Sequence, residues 1–558
     1  MRRRVLIGAG IALTLIVPGL ASGHAERETL SPARPGAVPD QDRVHTVVLD
    51  VCKTGECEYE HIQAAVDTIP LGNTTPTLIR IWPGLYREEP SRAAETRPPD
   101  DGGVYSLQHH IDFPNSQNLI AVVRKKNVTL RGMGATPRDV VIDVEFKKHV
   151  GIRGDQADGL IIENLSMYHA FDHGIYILDQ AGYLIDRVVS GYSRDYAFLM
   201  FATDHGVLKN CEAFGAGDAG IYPGGGANTP GRHSNEIANC KSYHNVIGYS
   251  GTQGNYIWVH DNEFYDNATG LTSDSETDHP NYPQEHLTLE RNEFYDNNFN
   301  VYAADSDVFS VFGDGLYIPV GTGVLLASGN WNLVQNNQIW GHDRYGVWLG
   351  TGQALVVGPT SDPPALPYLS SNNTFIANRM YPSDGVEGEQ NAVDFAWDGG
   401  GINNCWEGNT RSPDGEPANS DALFMPPCRI PGTENPMPIT VGVPHPQNSL
   451  AQAGLLFLNG EPVACVIDVG GCVWGPGPAP ENARNTPEGY QPPPPPPTTC
   501  GPSTCPTASS ASRVQGFKAT FSADASTLPA TGVGIPLAAS VALILGSFFL
   551  FRAIRRRA

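Results

Sequence analysis

The sequence predicts an all-β solenoid, a parallel β-helix of short strands stacked coil upon coil. Strands rich in β-branched and aromatic residues recur at 23-residue intervals between about 125 and 380. Gly, Asn and Asp punctuate them at fixed offsets. Charged residues are only 17%, while the chain holds 61 Gly and 46 Pro, which suits loop-rich β structure better than helical structure.

The repeat is visible in three similar stretches: Gly-Leu-Ile-Ile-Glu-Asn at 159–164, Gly-Tyr-Leu-Ile-Asp-Arg at 182–187 and Gly-Val-Leu-Lys-Asn at 206–210. Their last residues, Asn164, Arg187 and Asn210, lie 23 and 23 apart, and the same slot returns at Asn239, Asn262, Asn292 and Asn337. The longer intervals of 29, 30 and 45 are the basic unit plus inserted loops. Eight to ten residues after each slot comes a second strand, at 174–177, 197–200, 220–222, 270–272, 300–302 and 346–349. A period near 23 suits three strands per coil. No coil can bury its apolar face alone, so each must pair in parallel with the next, about 4.8 Å away. Cys211 and Cys240 each follow a slot Asn, so stacking brings them within reach of a disulfide.

Alternation along the second strand sends Ile175, Phe198, Ile221, Leu271, Val301 and Val347 inward. Tyr176, Leu199, Tyr222, Thr272, Tyr302 and Trp348 then face out. Tyr176, Tyr222, Tyr302 and Trp348 form a candidate sugar-stacking platform; the alternative is that loops fold over them as a second core. Insertions at 223–234, 273–286, 303–330 and 349–371 follow this strand, which should wall a groove on one side. Just before it, Asp172, Asp195 and Asp218 share one slot, 23 and 23 apart. Stacked carboxylates repel, raise one another's pKa or recruit a cation, and a pair suits glycosidase chemistry. Turn chemistry is the competing explanation, because Asp favours tight turns. His169, His173 and Arg194 lie around them as candidates for base, acid or charge neutraliser. Arg232 and His233 are candidates to hold a carboxylate-bearing sugar. Asp274, Glu276 and Asp278 would suit Ca2+, although their spacing is not that of an EF-hand and a solvated acidic loop is the other reading.

The remaining segments concern export and display. Arg2, Arg3 and Arg4, an apolar run over 5–20 and Gly23-His24-Ala25 make 1–25 a signal peptide, followed by a flexible segment at 26–44. The ten cysteines fall into neighbouring pairs (Cys52/Cys57, Cys211/Cys240, Cys405/Cys428, Cys465/Cys472, Cys500/Cys505), which in an exported chain read as disulfides. The net charge of −23 argues against a nucleic-acid partner. The β-helix is expected over 45–430, a C-terminal cap over 431–475 and a Pro/Ser/Thr-rich stalk over 476–527, with six prolines at 492–497 favouring extended polyproline II. Leu528-Pro529-Ala530-Thr531-Gly532, an apolar anchor over 533–551 and Arg555-Arg556-Arg557 then follow in order.

That C-terminal triad resembles an LPxTG-type sortase signal. The resemblance implies cleavage between Thr531 and Gly532, attachment of Thr531 to peptidoglycan, and a membrane span only before sorting. The repeats resemble the pectin-lyase-like, right-handed parallel β-helix superfamily over roughly 45–430. Its opening also matches: Glu-Tyr-Glu-His-Ile-Gln-Ala-Ala-Val-Asp-Thr-Ile-Pro at 58–70 should form a capping helix with Tyr59, Ile62, Val66 and Ile69 on one face. The Gln-Asp-Thr-Leu string of pectin methylesterases, the Asn-Thr-Asp and Gly-His-Gly strings of polygalacturonases and the Asp-Pro-His-Asp string of alginate epimerases are absent. His342-Asp343-Arg344-Tyr345 resembles the last only superficially, so no subfamily's catalytic residues carry over. The reading leans to a surface enzyme on a polysaccharide or surface glycan, as lyase, epimerase or hydrolase; a non-catalytic adhesin or display protein is the alternative.

Overall fold

A computed structural model describes residues 35–88, 117–276, 279–301, 303, 306–308, 318–350, 369–382, 390–397, 399–411, 415, 417, 425–438 and 499–505. The signal peptide, Tyr302, Asp278, Cys465, Cys472 and the sorting signal lie outside these residues.

Each repeat folds as three strands. In one coil they are Asp204–Lys209, Glu212–Phe214 and Ala219–Gly224. Equivalent strands of neighbouring coils pair in parallel, as Tyr183↔Gly206, Glu212↔Lys241 and Phe198↔Ile221 illustrate. Among the described residues, nineteen strands make one sheet from the first two strands of each coil, and ten make a second, smaller sheet from the third. Inside, Ile175, Phe198, Ile221, Tyr249, Leu271, Val324, Val347 and Phe395 stack as one buried row. Burying each such side chain contributes about 1.5–3 kcal/mol.

The repeat register needs one correction. Asn164, Arg187, Asn210 and Asn239 occupy a left-handed turn position (φ 52–55°), as their common slot implies. From the next coil on, the residues in that turn are Asp261, Arg291 and Asn336, so Asn262, Asn292 and Asn337 sit one residue later and point inward. Both positions select Asn for different reasons. A left-handed turn tolerates its short polar side chain, and an interior row exploits its amide, which both donates and accepts.

That interior row continues the Cys211–Cys240 disulfide, whose Cα atoms are 4.4 Å apart. The Cys240 N–H donates to Asn262 Oδ1 at 2.8 Å. From there the side-chain amides of Asn262, Asn292, Asn337 and Asn378 each donate to the Oδ1 of the next asparagine, ending at Asn409, at 2.9–3.0 Å. A second row runs Asn245, Asn267, Asn297, His342, Asn391. In it His342 Nδ1–H donates to Asn391 Oδ1 (2.7 Å) and Nε2 accepts from Asn297 (3.0 Å), an arrangement open only to the neutral ring. Burial lowers His342 to about 4. With the folded-state pKa below the ordinary 6.5, the row's contribution is full above pH 6.5 and lost as pH falls toward 4. Denaturant unfolding should therefore show about 3 kcal/mol or slightly more of stability disappearing across that window. His342→Asn, which can keep the row, should flatten the loss, and an unchanged slope in that variant would rule the assignment out.

The helix expected near 58–70 is α1 (Ile62–Asp67). Ile62, Ala65, Val66 and Ile69 join the main core, with Tyr59 packed against it. The N–H groups of Ile62 and Gln63 donate to the buried Glu88 carboxylate at 3.1 Å, which satisfies the helix start from a distant part of the chain. Of the segment 26–44, expected to be flexible, the described part holds fixed contacts. Gln41 bonds Glu163 and Asp186, and Arg43 bonds Gly159 O and Thr129, so it lies across the larger sheet. Disulfides join Cys52–Cys57, Cys211–Cys240, Cys405–Cys428 and Cys500–Cys505. The short unit 429–436 is a turn closed by an Arg429–Pro436 bridge and an Arg429–Glu434 ion pair.

Candidate functional site

The shared Asp slot stacks as its spacing implies, and it begins one coil earlier with a histidine. Backbone hydrogen bonds link Asp172 N to His149 O (2.9 Å), Asp195 N to Asp172 O (2.9 Å) and Asp218 N to Asp195 O (3.0 Å). The slot therefore reads His149, Asp172, Asp195, Asp218 along the solenoid. His149 Nδ1 contacts Asp172 Oδ2 across one coil. His173, one residue beyond this slot, places Nδ1 3.9 Å from Asp195 Oδ2, near it without a hydrogen bond. The Asp172 and Asp195 side chains are 30% and 25% exposed, so this edge reaches solvent, while Asp218 is buried.

Neighbouring rings hold the two imidazoles. His149 meets the Phe171 ring edge-on (5.2 Å), and His173 stacks on Tyr196 (5.3 Å, 23°). The Arg194 guanidinium sits over Phe171 at 4.4 Å, which brings a positive charge to the stacked acids. A carboxylate can only accept, so His149 carries a proton on Nδ1, and in the neutral ring Nε2 is then the acceptor. An imidazole oriented this way is suited to general-base work. Structure thus gathers Asp172, His173, Arg194, Asp195 and Asp218 on adjoining coils and adds His149, a residue overlooked in the sequence although it lies 23 positions before Asp172.

The expected aromatic platform is corrected in its exposure. Tyr176, Leu199 and Tyr222 do share one outward row, with Leu325 and Trp348 in register farther along. Yet Tyr176, Tyr222 and Trp348 are only 0, 2 and 4% exposed. Arg153, itself bonded to Asp155, lies 4.5 Å over Tyr176. The Tyr222 hydroxyl meets His279 Nε2 at 3.2 Å, and Trp348 packs with Leu325, Tyr345 and Ala396. Tyr176 and Tyr222, together with Phe201, Leu199 and Leu178, make a second apolar layer outside the smaller sheet, and Trp348 belongs to a separate outer cluster farther along.

Two loop assignments change for the same reason. The strand expected at 300–302 is Thr322–Ala327, so the long insertion enters before its strand and not after it. Val301, Val308, Ile318 and Val320 then pack over Val246, Ile247 and Ala268 in the outer layer. Val301 is buried in that layer, and Val324 takes the core place assigned to it. His244 ties the insertion down by bonding Asp266 (2.8 Å) and Asp307 (2.7 Å).

The other candidates are not part of the His–Asp ladder. Arg232 is committed to Asp204 through two bonds of 2.7 Å, and His233 stacks on Trp258 of the larger sheet. Asp274 lies on a strand four places along the smaller sheet from His173, roughly 19 Å away by strand spacing. Burial pushes its carboxyl up to about 6. Glu276 faces His279 Nδ1 at 3.3 Å. Among the described residues no group of three or more His, Cys, Asp or Glu is placed to hold a metal ion, and Asp278 lies outside them.

A family model described as a right-handed β-helix region matches residues 124–279 and 223–360. A pectinesterase from Arabidopsis thaliana is 44% identical over 43 residues, 8% of this chain; the chain spans 14% of that relative's length. Among solved structures, the A-module of a mannuronan C-5 epimerase from Azotobacter vinelandii is 19% identical, covering 68% of this chain and 94% of its own, with a TM-score of 0.39. A DFA-IIIase from Arthrobacter chlorophenolicus A6 is 12% identical over 63% of this chain and 85% of its own, TM-score 0.38. A carrot pectin methylesterase is 9% identical over 68% of this chain and 87% of its own, TM-score 0.30. These overlaps are too loose to transfer a reaction or a residue.

Proposed function

We propose that this protein acts on a polysaccharide bearing carboxylated sugars, abstracting a proton from carbon at the His149–Asp172 ladder. The single observation that carries this reading is the partly exposed Asp172 carboxylate held against His149 Nδ1 across one coil. A two-carboxylate hydrolase needs one acid free to protonate and another free to attack. Here Asp172 is spent orienting His149, which favours base chemistry, leading to elimination or epimerisation. Arg194 would stabilise the negative charge that develops on the sugar carboxylate. Export through 1–25 and wall attachment at Thr531, before Gly532, would display this site to external glycans.

The second reading, a non-catalytic display protein, draws support from the burial of Tyr176, Tyr222 and Trp348, which removes an open stacking surface. Incubating the full chain with a panel of acidic and neutral polysaccharides separates the two. Ultraviolet absorbance follows unsaturated products, reducing-end assays follow hydrolysis and NMR follows inversion at carbon. Turnover restricted to acidic glycans supports the first reading, whereas silence across the panel by all three readouts supports display.

A further inference from the structure

We propose that residues 499–505 form a clasp that returns the C-terminal chain to the opening coil of the β-helix. Two small disulfide-closed loops meet there, Cys52–Cys57 after the strand Val47–Val51 and Cys500–Cys505 from the nominal stalk. The Glu56 carboxylate accepts from the Ser503 N–H (3.0 Å), the Ser503 hydroxyl (2.5 Å) and the Thr504 hydroxyl (3.0 Å). These donors, Ser503 foremost, hold the Glu56 carboxyl below its usual range. The Cys500 N–H donates to Pro83 O at 3.3 Å, and Cys500 is buried.

The fit depends on a glycine. A Cβ on Gly501 would stand 2.5 Å from Thr54 Oγ1 and 2.9 Å from Glu56 Oε2, so a side chain there would displace the Glu56 carboxylate from its present place. The clasp is also internally braced, because Gly501 N–H donates to Thr504 Oγ1 (2.7 Å) and Cys505 N–H to Gly501 O (2.9 Å). A loop already closed by a disulfide loses little entropy on docking.

Chain length permits the return. Eleven strand steps separate Val47–Val51 from Cys405–Glu407, roughly 50 Å along the axis. Residues 438–498 can span about 200 Å when extended, and closing so long a loop costs only slightly more than closing a short one. With the clasp closed, the 22 residues 506–527 are the whole tether to Leu528, at most about 75 Å long. The tether then starts from the opening coil and not from the last one. That consequence rests on the sorting-signal reading, but the clasp itself does not.

Hydrogen exchange read by mass spectrometry on the full chain tests the clasp. Amides across 500–505 should be protected in the wild type, and Glu56→Lys and Gly501→Val should each raise their exchange about tenfold or more. Exchange in Val47–Val51 and Thr77–Ile81 should stay unchanged in both variants. Exchange of 500–505 at the unfolded rate in the wild type, or identical protection in both variants, overturns the proposal. A failed sorting-signal reading has a separate signature, the absence of sortase cleavage after Thr531 with the clasp still protected.

Discussion

Asp172→Asn is expected to lower polysaccharide turnover by about 10²–10⁴-fold with little change in KM or fold. The carboxylate accepts from His149 Nδ1 and thereby leaves Nε2 bare as the base. An asparagine amide can donate to Nδ1 instead, which moves the proton to Nε2 and disables it; the same tautomer argument explains the cost of replacing the aspartate of a Ser-His-Asp triad. His149→Ala should cost a similar factor, and the double variant little more, because the two side chains act as one unit. Circular dichroism and unfolding midpoint should match the wild type, since Asp172 lies at a partly exposed edge. Retention of more than a tenth of the activity in Asp172→Asn would place the chemistry elsewhere, with Asp274 the next residue to test.

The largest loss of stability is expected from Asn292→Ala, about 3–5 kcal/mol by denaturant unfolding. Asn292 Oδ1 accepts both the backbone N–H of Asn262 (3.1 Å) and its side-chain amide (2.9 Å). Its own amide donates to Val259 O (2.8 Å) and Asn337 Oδ1 (3.0 Å). Truncation strands these groups in the buried interior, and each stranded group costs about 1–3 kcal/mol. Asn239, in the exposed turn position of the repeat, supplies the control, and Asn239→Gly should change stability by less than about 1 kcal/mol. Equal losses at the two positions would contradict the distinction between turn and interior asparagines.

That distinction marks where the sequence stopped being legible. A period of 23 located the coils and the stacked Asp172, Asp195 and Asp218, because stacking repeats chemistry in register. The register then slipped by one at Asn262, since neighbouring positions both favour asparagine for unrelated reasons. Strand alternation gave the facing of Tyr176, Tyr222 and Trp348 correctly. It could not give their exposure, which is set by residues distant in sequence such as Arg153 and His279. Asn300-Val301-Tyr302 imitates a strand locally, but the pairing partner of Leu271 is Val324, and only long-range stacking decides that. His149 was within reach of the same arithmetic that found Asp172 and was passed over because its residue type differs.

The most direct test of proton abstraction is NMR of an acidic polysaccharide incubated with the full chain in D2O. The proposal predicts either deuterium at the carbon beside the sugar carboxylate or loss of that proton with a new olefinic signal, and neither with Asp172→Asn. New reducing ends with the proton retained at that carbon would contradict it and point to hydrolysis.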